Sequence, residues 1–427
     1  MLILSGGGWL MELLRSSAFD ELEPVPDVSI VMPCLNEAQA LPHCIDNARA
    51  ALREIQRRYG LSGELVIADN GSTDGSQQLA LNRGARVIAV SRKGYGAAII
   101  GGFEAARGRF LVMGDADGSY DFHDSVAMVG KLMDGADLCM GSRFMGGIAP
   151  GAMPWKNRYI GNPVLTGILN LFFQCGIGDA HCGLRAIRKD VCVDLNLQGA
   201  GMEFASEMVI KASMKRLRID EVPATLSPDL RDRPPHLRPW RDGWRHLRFL
   251  MMFSPTWVYG VPAIVAIVTA LAILFSIALH RSGLLPGAGP FGASWTIVAG
   301  FLLTVGHLAG VMAIAAHLYG VKQGYRSLRP ELQRLAPLLT LEHALLVGAV
   351  LMMSSLLAFG YTGWRWVASG FDAPPSVLPI TVAAAVATLG LQTIFGGFLM
   401  AIMSGHDSRF IANWTEDTCS SAERTAA

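Results

Sequence analysis

Two aspartates close the segment Arg109-Phe-Leu-Val-Met-Gly-Asp115-Ala-Asp117-Gly-Ser-Tyr-Asp121, whose apolar run predicts a short strand ending in a tight turn. Carboxylates are hard oxygen ligands. A pair spaced i, i+2 on a turn suits Mg²⁺ or Mn²⁺, cations that keep some waters and complete their shells with substrate phosphates. The expected substrate therefore carries a diphosphate. An isolated Asp-x-Asp is more often a solvated loop, so the reading rests on what surrounds the pair.

Around it, short β-branched or apolar runs alternate with helical stretches: Val28–Met32 then 38–58, Glu64–Ala68 then 74–83, Arg86–Val90 then 96–107, and Phe110–Met113. This alternation predicts a parallel sheet with crossover helices, in which ligands bind beyond the carboxyl ends of the strands. Polar clusters fall at those ends: Pro33-Cys-Leu-Asn36-Glu37, Asp69-Asn70-Gly-Ser-Thr-Asp74-Gly, Ser91-Arg92-Lys93-Gly94-Tyr-Gly96 and Asp115-Ala116-Asp117. Together they predict one site. Asp69 is placed to accept a hydrogen bond from a base N–H of uracil or guanine. The 70–75 run also has the composition of a turn and helix cap, a role that coexists with binding. Arg92 and Lys93 beside Gly94 and Gly96 predict a diphosphate contact, the glycines permitting close backbone approach.

The rest of the chain places this site beside a membrane. Of 427 residues 51% are hydrophobic and 17% charged, and the apolar excess lies after Ser254. Segments 257–279, 293–319, 343–362 and 378–403 are each long enough to cross the hydrocarbon core. Arg231, Arg233, Arg238, Arg241, Arg245 and Arg248 precede the first, and Lys322, Arg326, Arg329 and Arg334 separate the second from the third; the loops 280–292 and 363–377 hold only Arg281 and Arg365. Positive-inside bias predicts a multi-pass inner- or plasma-membrane protein with its amino-terminal domain, central loop and tail in the cytoplasm, leaving the sequon Asn413-Trp-Thr unglycosylated. Trp240-Arg-Asp-Gly-Trp244-Arg-His-Leu-Arg248 has the composition of an interfacial segment or a plain stop-transfer flank. The apolar opening lacks a basic start and is broken by glycines, against a signal peptide. Seven cysteines without a Cys-x-x-Cys pair predict reduced thiols, and neither these nor His181-Cys182 predict zinc. His307 and His317 are expected to pack between membrane helices. The net charge of +1 favours no class of partner, and no nucleic acid is expected.

Val-Ser-Ile-Val-Met-Pro-Cys-Leu-Asn-Glu, Ala-Asp-Asn-Gly-Ser-Thr-Asp-Gly, Lys-Gly-Tyr-Gly-Ala-Ala, Gly-Asp-Ala-Asp-Gly and Gly141-Ser-Arg143-Phe follow one another as in family 2 glycosyltransferases of the GT-A fold. Asp179-Ala-His-Cys-Gly183-Leu-Arg185 and Glu203-Phe-Ala-Ser-Glu207 resemble segments of the dolichol- and polyprenyl-phosphate mannose and glucose synthases. The resemblance covers residues 28–225. It implies that Pro33, Asn36, Glu37, Asp69, Asn70, Asp74, Lys93, Gly94, Asp115, Ala116 and Asp117 line the nucleotide-sugar site. It further implies that Asp115 and Asp117 hold the donor through metal, and that Arg143, Arg185 and Glu207 lie on the acceptor side. Three positions depart from the family pattern: Asn70 replaces a second carboxylate, Tyr95 a lysine, and Ser119 a third metal-side residue, often Gln. Lys93 and Asp121 are candidates to compensate.

The expected fold is thus an α/β GT-A, Rossmann-like domain (28–230) after a tail (1–27), followed by a juxtamembrane segment (231–256), a four-helix transmembrane domain (257–403) and a cytoplasmic tail (404–427). The expected reaction is inverting transfer of a hexose from UDP-glucose or GDP-mannose to a polyprenyl phosphate, with Mg²⁺ or Mn²⁺, Asp117 and Arg143 closest to the chemistry. Asp-Ala-Asp-Gly leans towards glucose by resemblance. Competing expectations are another lipid or polysaccharide acceptor, though no Gln-x-x-Arg-Trp precedes the spans, or a non-catalytic scaffold with a decayed transferase domain. A homo-oligomer is left open.

Overall fold

The computed structural model describes residues 25–231, 239–284, 291–292, 294–323, 326, 328, 330–372 and 377–411. Arg233, Arg238, Arg329, Asn413, Cys419 and nearly all of the amino-terminal tail lie outside the described residues. Two compact units divide the chain, Met1–Phe249 and Leu250–Ala427.

In the first unit the elements run β1 (Val28–Cys34), α1 (Leu41–Tyr59), β2 (Gly63–Asp69), α2 (Ser76–Asn82), β3 (Arg86–Ala89), α3 (Tyr95–Ala105), β4 (Phe110–Met113), α4 (Asp124–Met133), β5 (Leu138–Ser142), α5 (Arg143–Gly146), α6 (Asn162–Phe173), β6 (Arg185–Arg188), α7 (Lys189–Leu195), α8 (Phe204–Met214) and β7 (Ile219–Pro223). β1 and β4 are apolar on both faces because helices cover both, and their residues are almost all buried. α1 turns Leu41, Cys44, Ile45, Ala48, Ala51 and Ile55 inward at helical spacing and stops at Gly60, whose φ of 70° is the left-handed conformation glycine adopts without strain.

The seven strands stand in the order β3-β2-β1-β4-β6-β5-β7. β1, β2, β3 and β4 are parallel, as the alternation of runs predicts. Beyond β4, in strands that the alternation of runs does not cover, the sheet is mixed: β6 runs antiparallel to both neighbours, and β7 pairs parallel with β5. The physical cause is the long connection from β5 through α6, which brings the chain back into the sheet at the edge where β5 leaves it, so that β6 runs the other way. The carboxyl ends of β1, β2 and β4 remain on one edge.

Among the described residues the second unit has four helices long and apolar enough to span a membrane, Thr256–Arg281, Trp295–Lys322, Leu341–Ala368 and Leu378–Met403. Small residues let them approach: a Cβ on Gly348 would lie 2.8 Å from the Gly390 carbonyl oxygen. His307 is packed between the second and fourth, its Nδ1 2.9 Å from Gln392 Oε1 and its Nε2 3.3 Å from Thr393 Oγ1.

Candidate active site

The turn after β4 carries the two carboxylates, and their surroundings differ. Asp115 accepts the Tyr95 hydroxyl at 2.9 Å. Burial, then the neighbouring charge of Asp117, pushes its carboxyl up to about 7, against the Tyr95 hydrogen bond and the charges of Arg231 and Arg143. Asp117 folds the turn on itself, Oδ1 accepting Ser119 N–H at 3.0 Å. Its Oδ2 is 2.8 Å from Arg231 Nη2. Ala116 between them is buried.

Arg231 was counted in the sequence only among the basic residues before the first span. In the structure it completes the site, also reaching Asp229 at 2.8 Å and Glu37 at 3.4 Å. It is positioned by a strap: Ser227 N–H donates to the Ser119 carbonyl and Leu230 N–H to the Asp117 carbonyl, each at 2.9 Å. The one local signal for this residue was the charged run Asp229-Leu-Arg231-Asp-Arg.

The first two strand ends form one cradle. Asn36, at φ 59°, accepts Thr73 N–H at 2.7 Å and donates its own N–H to Ser72 Oγ at 2.9 Å. Glu37 N–H donates to Ser76 Oγ at 3.0 Å. Asp74 binds Ala38 N–H (2.9 Å) and Ser76 N–H (3.1 Å), tying the cap of α2 to the loop after β1. Asp69 accepts Gly71 N–H, Ser72 N–H and Gln77 Nε2 at 3.0, 3.2 and 2.6 Å. Burial would raise its carboxyl, but bonds from Ser72, Gln77 and Gly71 outweigh it and hold it below the usual range. Most of its hydrogen-bonding capacity organises its own loop, leaving an Oδ1 lone pair for an external donor. Pro33 pairs in register with Ala68 beside this cradle.

Asn70, the departure from a second carboxylate, uses its amide chemistry. Nδ2 donates to the carbonyls of Val90 (3.1 Å) and Arg92 (2.8 Å), while Oδ1 accepts Gly94 N–H at 2.9 Å. A carboxylate has no N–H for the first two bonds. Lys93 Nζ donates to the Asn70 carbonyl at 2.6 Å. The close approach allowed by Gly94 and Gly96 is to protein: added Cβ atoms would collide with the carbonyl oxygens of Ala200 and Gly199. Both positions therefore need glycine for protein packing alone. Asp121 accepts His123 N–H and Asn47 Nδ2 at the start of α4.

The acceptor-side candidates are strongly committed within the fold. Arg143, 8% exposed, forms a two-pronged pair with the fully buried Asp179: Nε to Oδ2 and Nη2 to Oδ1, both 2.7 Å, with the Arg143 N–H to Oδ2 at 3.1 Å. Arg185 is fully buried and donates to the carbonyls of Cys182, Ala205 and Ala180. Glu207 pairs with Lys211 at 2.7 Å and receives Gln198 N–H and Gly199 N–H. It thereby fixes the 198–200 loop against Gly94 and Gly96. His181, which gave no metal signal in the sequence, stacks edge-on with His246 at 5.0 Å, and His246 Nδ1 is 2.9 Å from Ser206 Oγ.

The chemistry of the carboxylate turn fits a divalent cation. Asp115 and Asp117 repel each other in a desolvated setting, and the turn already draws a guanidinium to Asp117. Among the described residues no cluster of three or more His, Cys, Asp or Glu is arranged to hold a metal. An ion completed by phosphate and water would need no more protein ligands than two carboxylates.

Residues 29–195 match the family model described as Glycosyl transferase family 2, and residues 314–404 the one described as Glycosyltransferase family 2 C-terminal transmembrane region. The chain is 36% identical over 391 residues to the low-salt glycan biosynthesis hexosyltransferase of Haloferax volcanii, covering 91% of each chain. It is 29% identical over 198 residues to that organism's dolichyl-phosphate hexose transferase, covering 46% of this chain and 81% of the relative. A solved structure of glucosyl-3-phosphoglycerate synthase from Mycobacterium tuberculosis with Mn²⁺ and UDP is 21% identical, covers 59% of this chain and 85% of the other, and superposes with a TM-score of 0.39, too distant to carry weight.

Proposed function

The chain belongs to the family 2 glycosyltransferases, an integral membrane enzyme by its four candidate spans, and from that premise we propose that it transfers a hexose from a nucleotide diphosphate to the phosphate of a polyprenyl lipid. The acceptor class is supported by relatives whose names specify dolichyl-phosphate hexose transfer and polyprenol monophosphomannose synthesis. The observation that carries the reading is the convergence of Asp115, Asp117, Glu37 and Arg231 beyond the carboxyl ends of β1 and β4. The site residues we assign are those of the cradle (Pro33, Asn36, Glu37, Asp69, Asn70, Asp74, Lys93, Gly94), Asp115-Ala116-Asp117, and Arg231.

Mechanistically, an oxygen of the acceptor phosphate forms a bond to the anomeric carbon as the bond from that carbon to the diphosphate oxygen breaks, with inversion. The electron pair leaves with the nucleotide diphosphate. Asp115 and Asp117 would hold Mg²⁺ or Mn²⁺, which supplies positive charge to the diphosphate. Arg231, 2.8 Å from Asp117, carries a charge suited to the same leaving group. A phosphate monoester with its second pKa at about 6 is largely dianionic at neutral pH, so no protein base is required. Arg143 directs Nε and Nη2 at Asp179, leaving Nη1 as the edge available to the acceptor phosphate.

We place the catalytic domain, residues 28–230, on the cytoplasmic face, from the distribution of Lys and Arg around the spans. Glucose is preferred to mannose on the Asp115-Ala-Asp-Gly sequence. The test is incubation of membranes with radiolabelled UDP-glucose, GDP-mannose or UDP-N-acetylglucosamine, polyprenyl phosphate and Mn²⁺. Metal-dependent label in the organic phase from UDP-glucose is expected. Label only from GDP-mannose would reverse the sugar preference, and none from any donor would refute the acceptor assignment.

A further inference from the structure

A cleft of about 680 Å³ opens between the second half of α1 and the first residues of β2 and β3, at the amino-terminal edge of the sheet. Asp115 and Asp117 lie beyond the other edge. Arg49, Arg53, Arg86 and Arg107 line the cleft with a single carboxylate, Glu64, for a net charge of +3. Glu64 is already committed, accepting Ser29 Oγ at 2.7 Å, Arg107 N–H at 2.6 Å, and the Nε of Arg86 and Arg107 at 3.0 and 3.2 Å. Arg86 is pinned further by its Nη2, which donates to the Ala105 carbonyl at 2.8 Å. One carboxylate thus holds two guanidiniums side by side and neutralises one of them.

Arg49 and Arg53, one turn apart on α1, add two more charges, and like charges at this spacing repel. Among the described residues neither forms a hydrogen bond or an ion pair, although Arg49 is half-buried. Their neighbours on the same helix differ: Arg57 and Arg58 share Glu54. Arg49 reaches across to the turn before β3, where a Cβ on Gly84 would stand 2.8 Å from its Nη2. An anion would relieve the repulsion that this arrangement builds in. Guanidiniums offer planar forks of N–H donors that match phosphate oxygens, and several together suit an anion of several charges. No aromatic ring lines the cleft to stack a base. Its apolar walls, Leu52, Leu65 and Ala85, pack into the core, so no outward apolar anchor borders it as a lipid-seating surface would need.

We propose that this cleft binds a soluble anion of the diphosphate class, at a site separate from the carboxylate turn. The inference does not depend on which sugar or acceptor the enzyme uses. It is tested by calorimetric titration of the full chain, in phosphatidylcholine nanodiscs at low ionic strength, with inorganic pyrophosphate. EDTA is present so that no divalent metal carries pyrophosphate to Asp115 and Asp117. Saturable binding is expected, and Arg49→Gln with Arg53→Gln should weaken it by roughly tenfold or more, the worth of a charge-assisted hydrogen bond. That pair should not lower the unfolding temperature, because neither side chain has a partner to lose. Arg57→Gln with Arg58→Gln removes the same charge from the same helix and should leave binding nearly unchanged. Absence of saturable binding overturns the proposal, and so does equal weakening by the two double variants, which would reduce the effect to overall charge. Weakening by Arg231→Gln in place of the Arg49 and Arg53 pair would put the anion in the active site and overturn it as well. Binding abolished when phosphatidylglycerol is added to the nanodiscs would assign the cleft to lipid headgroups and overturn the soluble ligand.

Discussion

Replacing Asp179 with alanine should damage the catalytic unit more than loss of one carboxylate ordinarily does. Asp179 is fully buried and receives three hydrogen bonds from Arg143, whose guanidinium is itself buried. Arginine cannot shed its proton, so Asp179→Ala leaves an uncompensated buried charge at every accessible pH. Breaking such a pair from one side costs about 3–5 kcal/mol. For a unit of this size each kcal/mol corresponds to roughly 2–4 °C, so the apparent unfolding temperature should fall by roughly 6–20 °C at fixed scan rate in one detergent. Arg143→Met alone should cost less at low pH than at neutral pH. Asp179 is held below the usual carboxylate range despite burial by its Arg143 bond and charge, and without that partner it can be protonated. Arg143→Met with Asp179→Ala removes both charges and should recover most of the loss. A double variant as unstable as Asp179→Ala would refute the ion-pair account. The same double variant, if folded, should raise KM for polyprenyl phosphate while leaving KM for the donor unchanged, as the acceptor-side placement of Arg143 requires.

Asp117→Ala should abolish transfer while membrane insertion persists; retained Mn²⁺-dependent transfer would move the metal site elsewhere. Arg231→Gln should lower kcat/KM for the donor by about 10- to 100-fold, the worth of a charge-assisted hydrogen bond of roughly 1.5–3 kcal/mol, with an unfolding temperature within a few degrees of the parent; an unchanged kcat/KM would make Arg231 a structural strap only. Burial, followed by the charges of His246, Arg185 and Arg143, pushes His181 down to about 3. The unfolded chain takes up this proton as pH falls through about 6.5 and the folded chain does not until about 3, so stability is full above 6.5 and falls by up to about 1.4 kcal/mol per pH unit below it. His181→Gln should flatten denaturation profiles between pH 6.5 and 4, and an unchanged slope would assign acid sensitivity to other groups.

Much of this enzyme is local in origin and therefore legible in one dimension. Hydrophobic period separates β1 to β4 from the helices between them, and sustained apolarity marks the four spans, because both signals come from burial repeating every few residues. The polar runs at the ends of β1, β2 and β4 can be assigned to one site because parallel strands share a carboxyl edge. Tertiary structure decided the rest. The antiparallel insertion of β6 between β4 and β5 depends on how a long connection folds back, which no local pattern encodes. Arg231 meets Glu37 across 194 positions of sequence, so its composition placed it with its basic neighbours. Arg185 and Glu207 are buried in bonds to backbone groups, and backbone groups are identical at nearly every residue. Helix α6 shows the same limit: periodicity reveals that a helix has two faces, but only the packing of Thr166 and Leu169 against the interior determines which one turns inward.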